Sequence, residues 1–116
     1  MKKVKIRRGD IFYADLGIYE DKGSEQQGKR PVVIIQNDKG NVFSPTVIVA
    51  PITSSNKNKL LPVHVRLSNY NLLRNSIILL EQIRTLDKRK LKERKGHLDY
   101  FELMELNKAL KISVGL

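Results

Sequence analysis

Cysteine is absent from this sequence of 116 residues, which excludes a disulfide framework and any thiolate metal site. That absence fits a reducing compartment, and a cytoplasmic location is expected. Long apolar runs are missing as well. The longest, residues 31–36 and 77–80, are strand-sized and far short of the roughly eighteen residues a membrane-spanning helix needs. The basic start, MKKVKIRR, leads into no apolar stretch, so neither a secretory signal nor a membrane association is expected. There is no Walker-type loop, no HExxH, no GxSxG and no Rossmann glycine pattern. Histidine is scarce, with only His64 and His97. His64 falls on the polar face of an alternating segment and His97 just before the last helix. His64 is read as an exposed packing residue, and neither histidine is read as a general base.

What the chain has in excess is positive charge. Twenty-two Lys and Arg against twelve Asp and Glu give a formal charge of +10. Such an excess attracts polyanions, nucleic acid among them, although a merely soluble basic surface has the same composition. An apolar fraction of 41% is ordinary for a folded chain, and the length suits one domain over residues 1–116.

Residues 9–16 are rich in aromatic and β-branched types and predict a strand. Residues 17–29 are polar and aperiodic, a long loop of the kind that is usually functional. After Arg30-Pro31, residues 32–36 form a continuous apolar run suited to a strand buried on both faces. Residues 37–41 carry turn chemistry, 46–52 predict a strand and 53–59 a second polar loop. In residues 62–67, Val63, Val65 and Leu67 alternate with Pro62, His64 and Arg66. Residues 69–75 read as loop and 76–84 as one more strand. Residues 87–95 hold six basic residues with Leu91 as the only apolar one, a solvated segment with at most a short helical turn.

Asp99 and Glu102 match a capping box. Behind it Leu103, Leu106 and Leu110, with Met104, Ala109 and Ile112, make a helical stripe. The helix is predicted over Tyr100–Val114, with Gly115 as its stop. Short strands and one closing helix imply a mostly β fold with α additions, a small and mainly antiparallel barrel.

The chemistry-bearing candidates gather at strand ends. Arg30 follows the first polar loop, while Thr53, Ser54 and Ser55 follow the strand over 46–52. A guanidinium fork matches two phosphate oxygens, and a threonine hydroxyl can add a third donor. Taken alone, strand starts and turns explain these residues better than chemistry does.

The same segments, in order, resemble the MazF/PemK family of toxins from bacterial toxin–antitoxin modules, most closely its Gram-positive branch. The resemblance runs over essentially the whole chain. It is carried by RGDIFYADL at 8–16, GSEQ at 23–26, RPVVIIQND at 30–38, SPT at 44–46, VAPIT at 49–53, LPVHV at 61–65 and LLEQIRTLD at 79–87.

This resemblance implies an SH3-like barrel of five to seven strands that forms a homodimer. It implies an endoribonuclease cutting single-stranded mRNA without the ribosome, with no metal or cofactor, leaving 2′,3′-cyclic phosphate and 5′-hydroxyl ends. By the match, Arg30 and Thr53 are the catalytic pair, Gln82 contacts a base, and Ser24, Glu25 and Gln26 lie in a loop covering the RNA groove. The resemblance also implies a cognate antitoxin that inhibits through a disordered acidic segment. RNA supplies its own nucleophile, the 2′-OH, so Arg30 is expected to stabilise phosphorane charge and Thr53 to position the phosphate. Glu25 or a water is expected to take the 2′-OH proton, because a guanidinium with a pKa above about 12 is a poor base. Gln82, Asn37 and Ser54 are candidate base readers. Two rivals share the barrel: a toxin that inhibits DNA gyrase by protein contact, and a non-catalytic RNA-binding module. Only the nuclease needs Arg30 and Thr53 at one phosphate.

Overall fold

The computed structural model describes residues 5–18, 23, 25–54, 60–67 and 76–116. The expected loop over 69–75 therefore lies outside the described residues, as do Ser24 and Ser55. Among the described residues seven antiparallel strands form the sheet. They are β1 (Asp10–Asp15), β2 (Lys29–Ile34), β3 (Thr46–Ser54), β4 (His64–Leu67), β5 (Ser76–Leu79), β6 (Arg84–Asp87) and β7 (Leu91–His97). Pairing runs β4-β5-β3-β2-β1-β7, with β6 on β3. The mostly β class and the closing helix are as expected. Among the described residues, however, β4 and β7 remain separate edges, so the expected barrel is an unclosed sheet.

Both faces of this sheet are buried. One cluster joins Ile11, Val33, Ala50, Ile52 and Ile78 to Leu106 and Ala109 of the closing helix. The other joins Phe12, Ala14, Val32, Ile34, Val47 and Val49 to Leu86, with Leu91 packed beside it. That double burial explains why the β2 run is continuously apolar.

The strand expected over 76–84 is broken in two. Ile52 of β3 pairs with Ile78, and Val49 pairs with Arg84. Between those pairs, Ala50 and Pro51 face the longer stretch from Leu79 to Ile83. The excess forms a 3₁₀ turn, Leu80–Gln82. Proline has no N–H to give a ladder and is tolerated in sheets at bulges, so Pro51 marks the natural place for this break.

Two further expectations are corrected. The turn chemistry at 37–41 instead starts a short helix, α1 (Asp38–Phe43), whose N-cap is Asn37. The basic segment 87–95 gives a 3₁₀ turn at Lys88–Lys90 and then β7, which pairs with β1 through two register shifts. Edge strands tolerate rows of charge that central ones do not. Here Lys95 Nζ sits 5.0 Å from the centre of the Tyr13 ring.

The closing helix α2 (Tyr100–Val114) has the expected bounds and capping box. The Asp99 carboxylate accepts from Glu102 N–H at 2.8 Å, and Glu102 accepts from Asp99 N–H at 3.0 Å. Gly115 ends the helix in the left-handed region, at φ 77°. The apolar stripe is narrower than expected: Leu106 and Ala109 are buried, whereas Met104 and Ile112 are about half exposed. Asp99→Ala should cost about 1 kcal/mol, read as a lowered denaturant midpoint with an unchanged slope.

His97, close to the start of α2, ties β7 to β1. Its Nδ1 lies 2.8 Å from the buried Asp10 carboxylate, which also accepts from Arg94 at 3.0 Å and from Arg7 N–H at 2.9 Å. No described helix is long and apolar enough to cross a membrane.

Candidate active site

Arg30 is the second residue of β2 and half-buried. Its Nε donates to Gln27 O at 2.8 Å, which ties the guanidinium to the loop before it. Thr53, the expected first residue of the second polar loop, is instead inside β3, half-buried and opposite Ile77. Pairing between β2 and β3 runs through Val32 with Pro51, Val33 with Ala50 and Ile34 with Val49. The pairing ends there: two residues beyond its last pair, Arg30 is paired with Ala14 of β1 and Thr53 with Ile77 of β5. Strand alternation puts both on the side of the sheet occupied by Val32, Ile34, Val47 and Val49. Ser54 is exposed at the end of β3, opposite Ser76.

The local charge is positive. Asp15 accepts from Gly17 N–H at 2.9 Å, and this bond together with Lys90, Lys29 and Lys92 holds its pKa below the usual value against the effect of burial. The lysine beside Arg30 thus shares a carboxylate with two lysines of the basic segment.

Gln26 and Gln82, far apart in sequence, are brought together directly. The backbone N–H of Gln26 donates to Gln82 Oε1 at 3.0 Å. That contact borders a cavity of about 460 Å³ whose walls include Glu25, Gln26, Glu81, Gln82, Arg84 and Thr85, with Pro51 at its β3 side. Gln26 Oε1 is buried and has no hydrogen-bond partner among the described residues. Leaving a buried acceptor unpaired costs about 1–3 kcal/mol, which a donor arriving with a ligand or a loop movement would relieve.

Asn37 stands apart from that cavity. Its Oδ1 accepts from Gly40 N–H at 2.8 Å as the cap of α1. It lines a neighbouring, mainly apolar cavity of about 580 Å³ with Ile48, Leu110 and Val114, and Ile83 belongs to both cavities.

Sequence reasoning missed two residues. His64, expected exposed, is buried, its side chain only 1% accessible, with Nε2 2.9 Å from Glu81 Oε2. The second is Glu81, which precedes Gln82 in the turn. The only available signal was its place in the LLEQIRT segment. Among the described residues no cluster of His, Cys, Asp and Glu could hold a metal ion.

Both the sequence and the antiparallel sheet have counterparts among known proteins. The chain belongs to the family described as PemK-like, MazF-like toxins of type II toxin–antitoxin systems, whose model matches residues 7–114. It is 54% identical over 113 residues to the endoribonuclease MazF of Staphylococcus epidermidis, covering 96% of this chain and 92% of that protein. Identity and coverage are the same for endoribonuclease MazF of Staphylococcus saprophyticus. In fold the chain is similar to MazF from Deinococcus radiodurans, with a TM-score of 0.79, 22% identity, and 98% and 100% of the two chains covered. It is also similar to a mycobacterial endoribonuclease solved with its cognate antitoxin, at a TM-score of 0.79, 23% identity and 96% of each chain.

Proposed function

We propose that this chain is the toxin of a type II toxin–antitoxin system, an endoribonuclease that cuts single-stranded mRNA by attack of the 2′-OH on the neighbouring phosphate. The observation that carries the reading is the β2–β3 register, which, extended two residues beyond its last pair at Val32 and Pro51, supports Arg30 and Thr53 meeting at one linkage. Arg30 stabilises the charge of the phosphorane and gives a proton to the departing 5′-oxygen, and solvent returns that proton to the guanidine. Thr53 holds a phosphate oxygen, and Glu25 or a water accepts the 2′-OH proton. The products carry a 2′,3′-cyclic phosphate and a 5′-hydroxyl. Because the substrate brings its own nucleophile, the chemistry asks for no metal or cofactor.

Gln82 and Gln26, with Ser24 and Ser54, contact the RNA around the cut. Asn37 reads a further nucleotide, a role supported by the wall its cavity shares with the Gln82 cavity. The chain acts in the cytoplasm as a single domain over residues 1–116 and as a homodimer. Exposed Ile48, Ile112, Val114 and Leu116 supply apolar surface for a second copy. A cognate antitoxin inhibits it with a disordered acidic segment, drawn to the +10 charge.

Labelled single-stranded RNA incubated with the protein in EDTA tests this reading. Cutting is expected. Inhibition of DNA gyrase with the RNA left whole would replace it with the rival toxin class. Raising salt from 50 to 200 mM should weaken RNA binding by about tenfold for two to three neutralised phosphates, since each contributes a log–log slope of about −0.7 on a single strand. A salt-independent Kd from fluorescence anisotropy would contradict a phosphate-bound substrate.

A further inference from the structure

The 3₁₀ turn that carries Gln82 is held from behind by a buried histidine whose two ring nitrogens are both engaged by its neighbours. His64 Nδ1 lies 3.1 Å from Leu61 N, and a backbone N–H can only donate. Nδ1 therefore accepts, which leaves Nε2 as the ring's donor. That Nε2–H donates to Glu81 Oε2 at 2.9 Å. The turn itself is pinned at Leu80, whose N–H donates to Val63 O at 3.0 Å and whose carbonyl accepts from Ser113 Oγ at 2.6 Å. Glu81 thus reaches the cavity wall from a rigid turn, with one oxygen held by His64 and its side chain 36% accessible.

An ionised carboxylate only accepts hydrogen bonds. It repels phosphate and gains nothing from a base carbonyl, so the cavity suits a nucleobase edge that donates. The unpaired Gln26 Oε1 and the Glu25 carboxylate add acceptors of the same kind nearby. Adenine, cytosine and guanine each carry an exocyclic amino group. Uracil offers only one ring N–H, flanked by two carbonyl oxygens that a carboxylate disfavours. Carboxylate side chains pair with base amino groups in this way elsewhere, and single-stranded RNA is read on such unstacked edges.

We propose that Glu81 is a specificity-determining residue that accepts a hydrogen bond from the exocyclic amino group of one unstacked base near the cut, and that His64 is its positioning residue. This rests on the endoribonuclease reading above.

The test uses the full chain and an RNA oligonucleotide whose cut site has been mapped. Each adenosine, guanosine and cytidine is replaced in turn by its counterpart lacking the exocyclic amino group. At one position kcat/KM for the wild-type protein should fall about ten- to hundredfold. In Glu81→Ala that penalty should shrink to near onefold, with the protein still folded because Glu81 is partly exposed. Glu81→Gln, which keeps an acceptor oxygen, should retain part of it. His64→Gln should weaken the penalty at the same position and no other, a pattern that a general loss of structure would not give. Cutting that carries an undiminished penalty in Glu81→Ala overturns this assignment alone. A wild-type protein that leaves every oligonucleotide whole overturns the ribonuclease reading and the assignment with it.

Discussion

Arg30→Ala should lower kcat/KM on single-stranded RNA by a hundredfold or more while leaving the melting temperature nearly unchanged. Removing one preorganised donor from a developing oxyanion typically costs about 3 kcal/mol in the transition state. The fold should be spared because Arg30 is half-buried and its assigned hydrogen bond, to Gln27 O, lies at the loop end of β2. Arg30→Lys should recover little, since an ammonium cannot span two phosphate oxygens as a planar fork does. Thr53→Val keeps the β-branched shape inside β3 and removes only the hydroxyl, so it should lower the rate without disturbing the pairing to Ile77. An Arg30→Ala protein that folds and cuts at the wild-type rate would remove Arg30 from the chemistry.

The largest effect on stability is expected at Asp10. It is 1% exposed, yet its carboxylate serves the Arg7 backbone, Arg94 and His97, joining the start of β1 to the end of β7. Asp10→Ala should cost about 3 kcal/mol, because hydrogen bonds to a charged group are the stronger kind and the partners are left behind. Burial by itself would raise the pKa of Asp10. The bonds from Arg94, Arg7 and His97 outweigh it and hold the group below 3.8. A carboxyl whose folded pKa is depressed stabilises the fold fully above its unfolded value, and that contribution is lost as pH falls through the folded one. The gap in stability between wild type and Asp10→Ala should therefore be wide at neutral pH and narrow below about pH 4. Equilibrium denaturation across that range measures it, and a gap that stayed constant would rule out the ionised carboxylate as its source.

The elements legible in the sequence were those whose signals are local. The helix α2 announces itself through Asp99, Glu102 and Gly115, all within one turn of its ends, and the structure places each where the pattern does. His64 was misread because alternation shows only that two faces differ. It cannot show that the polar face of β4 is covered, and the partner that makes burial tolerable, Glu81, is 17 residues away. The basic segment hid β7 for a similar reason. An edge strand is held by backbone bonds to β1, and side-chain periodicity carries no trace of them. At the α1 position, Asn and Gly serve equally as turn residues or as a helix start, and a helix of six residues is too short to show a period.

The candidate site was legible only in part. Arg30 and Thr53 stand out by resemblance to the family, while their residue types alone fit a strand start and a turn. What the structure adds is nonlocal: a β2–β3 register that lays the strands carrying them side by side, and the contact from Gln26 to Gln82 across 56 residues. Neither can be derived from spacing along the chain.

The central claim is that RNA attacks itself, with the protein only bending and clamping one linkage. A single 2′-deoxy substitution on the nucleotide immediately 5′ of the mapped cut tests it most directly, with EDTA present and the products resolved by mass. Cleavage at that linkage should vanish while binding persists, and the unsubstituted RNA should yield a 2′,3′-cyclic phosphate and a 5′-hydroxyl. Continued cutting of the deoxy-substituted linkage, or a 5′-phosphate end, would mean that the nucleophile comes from elsewhere and that the account is wrong.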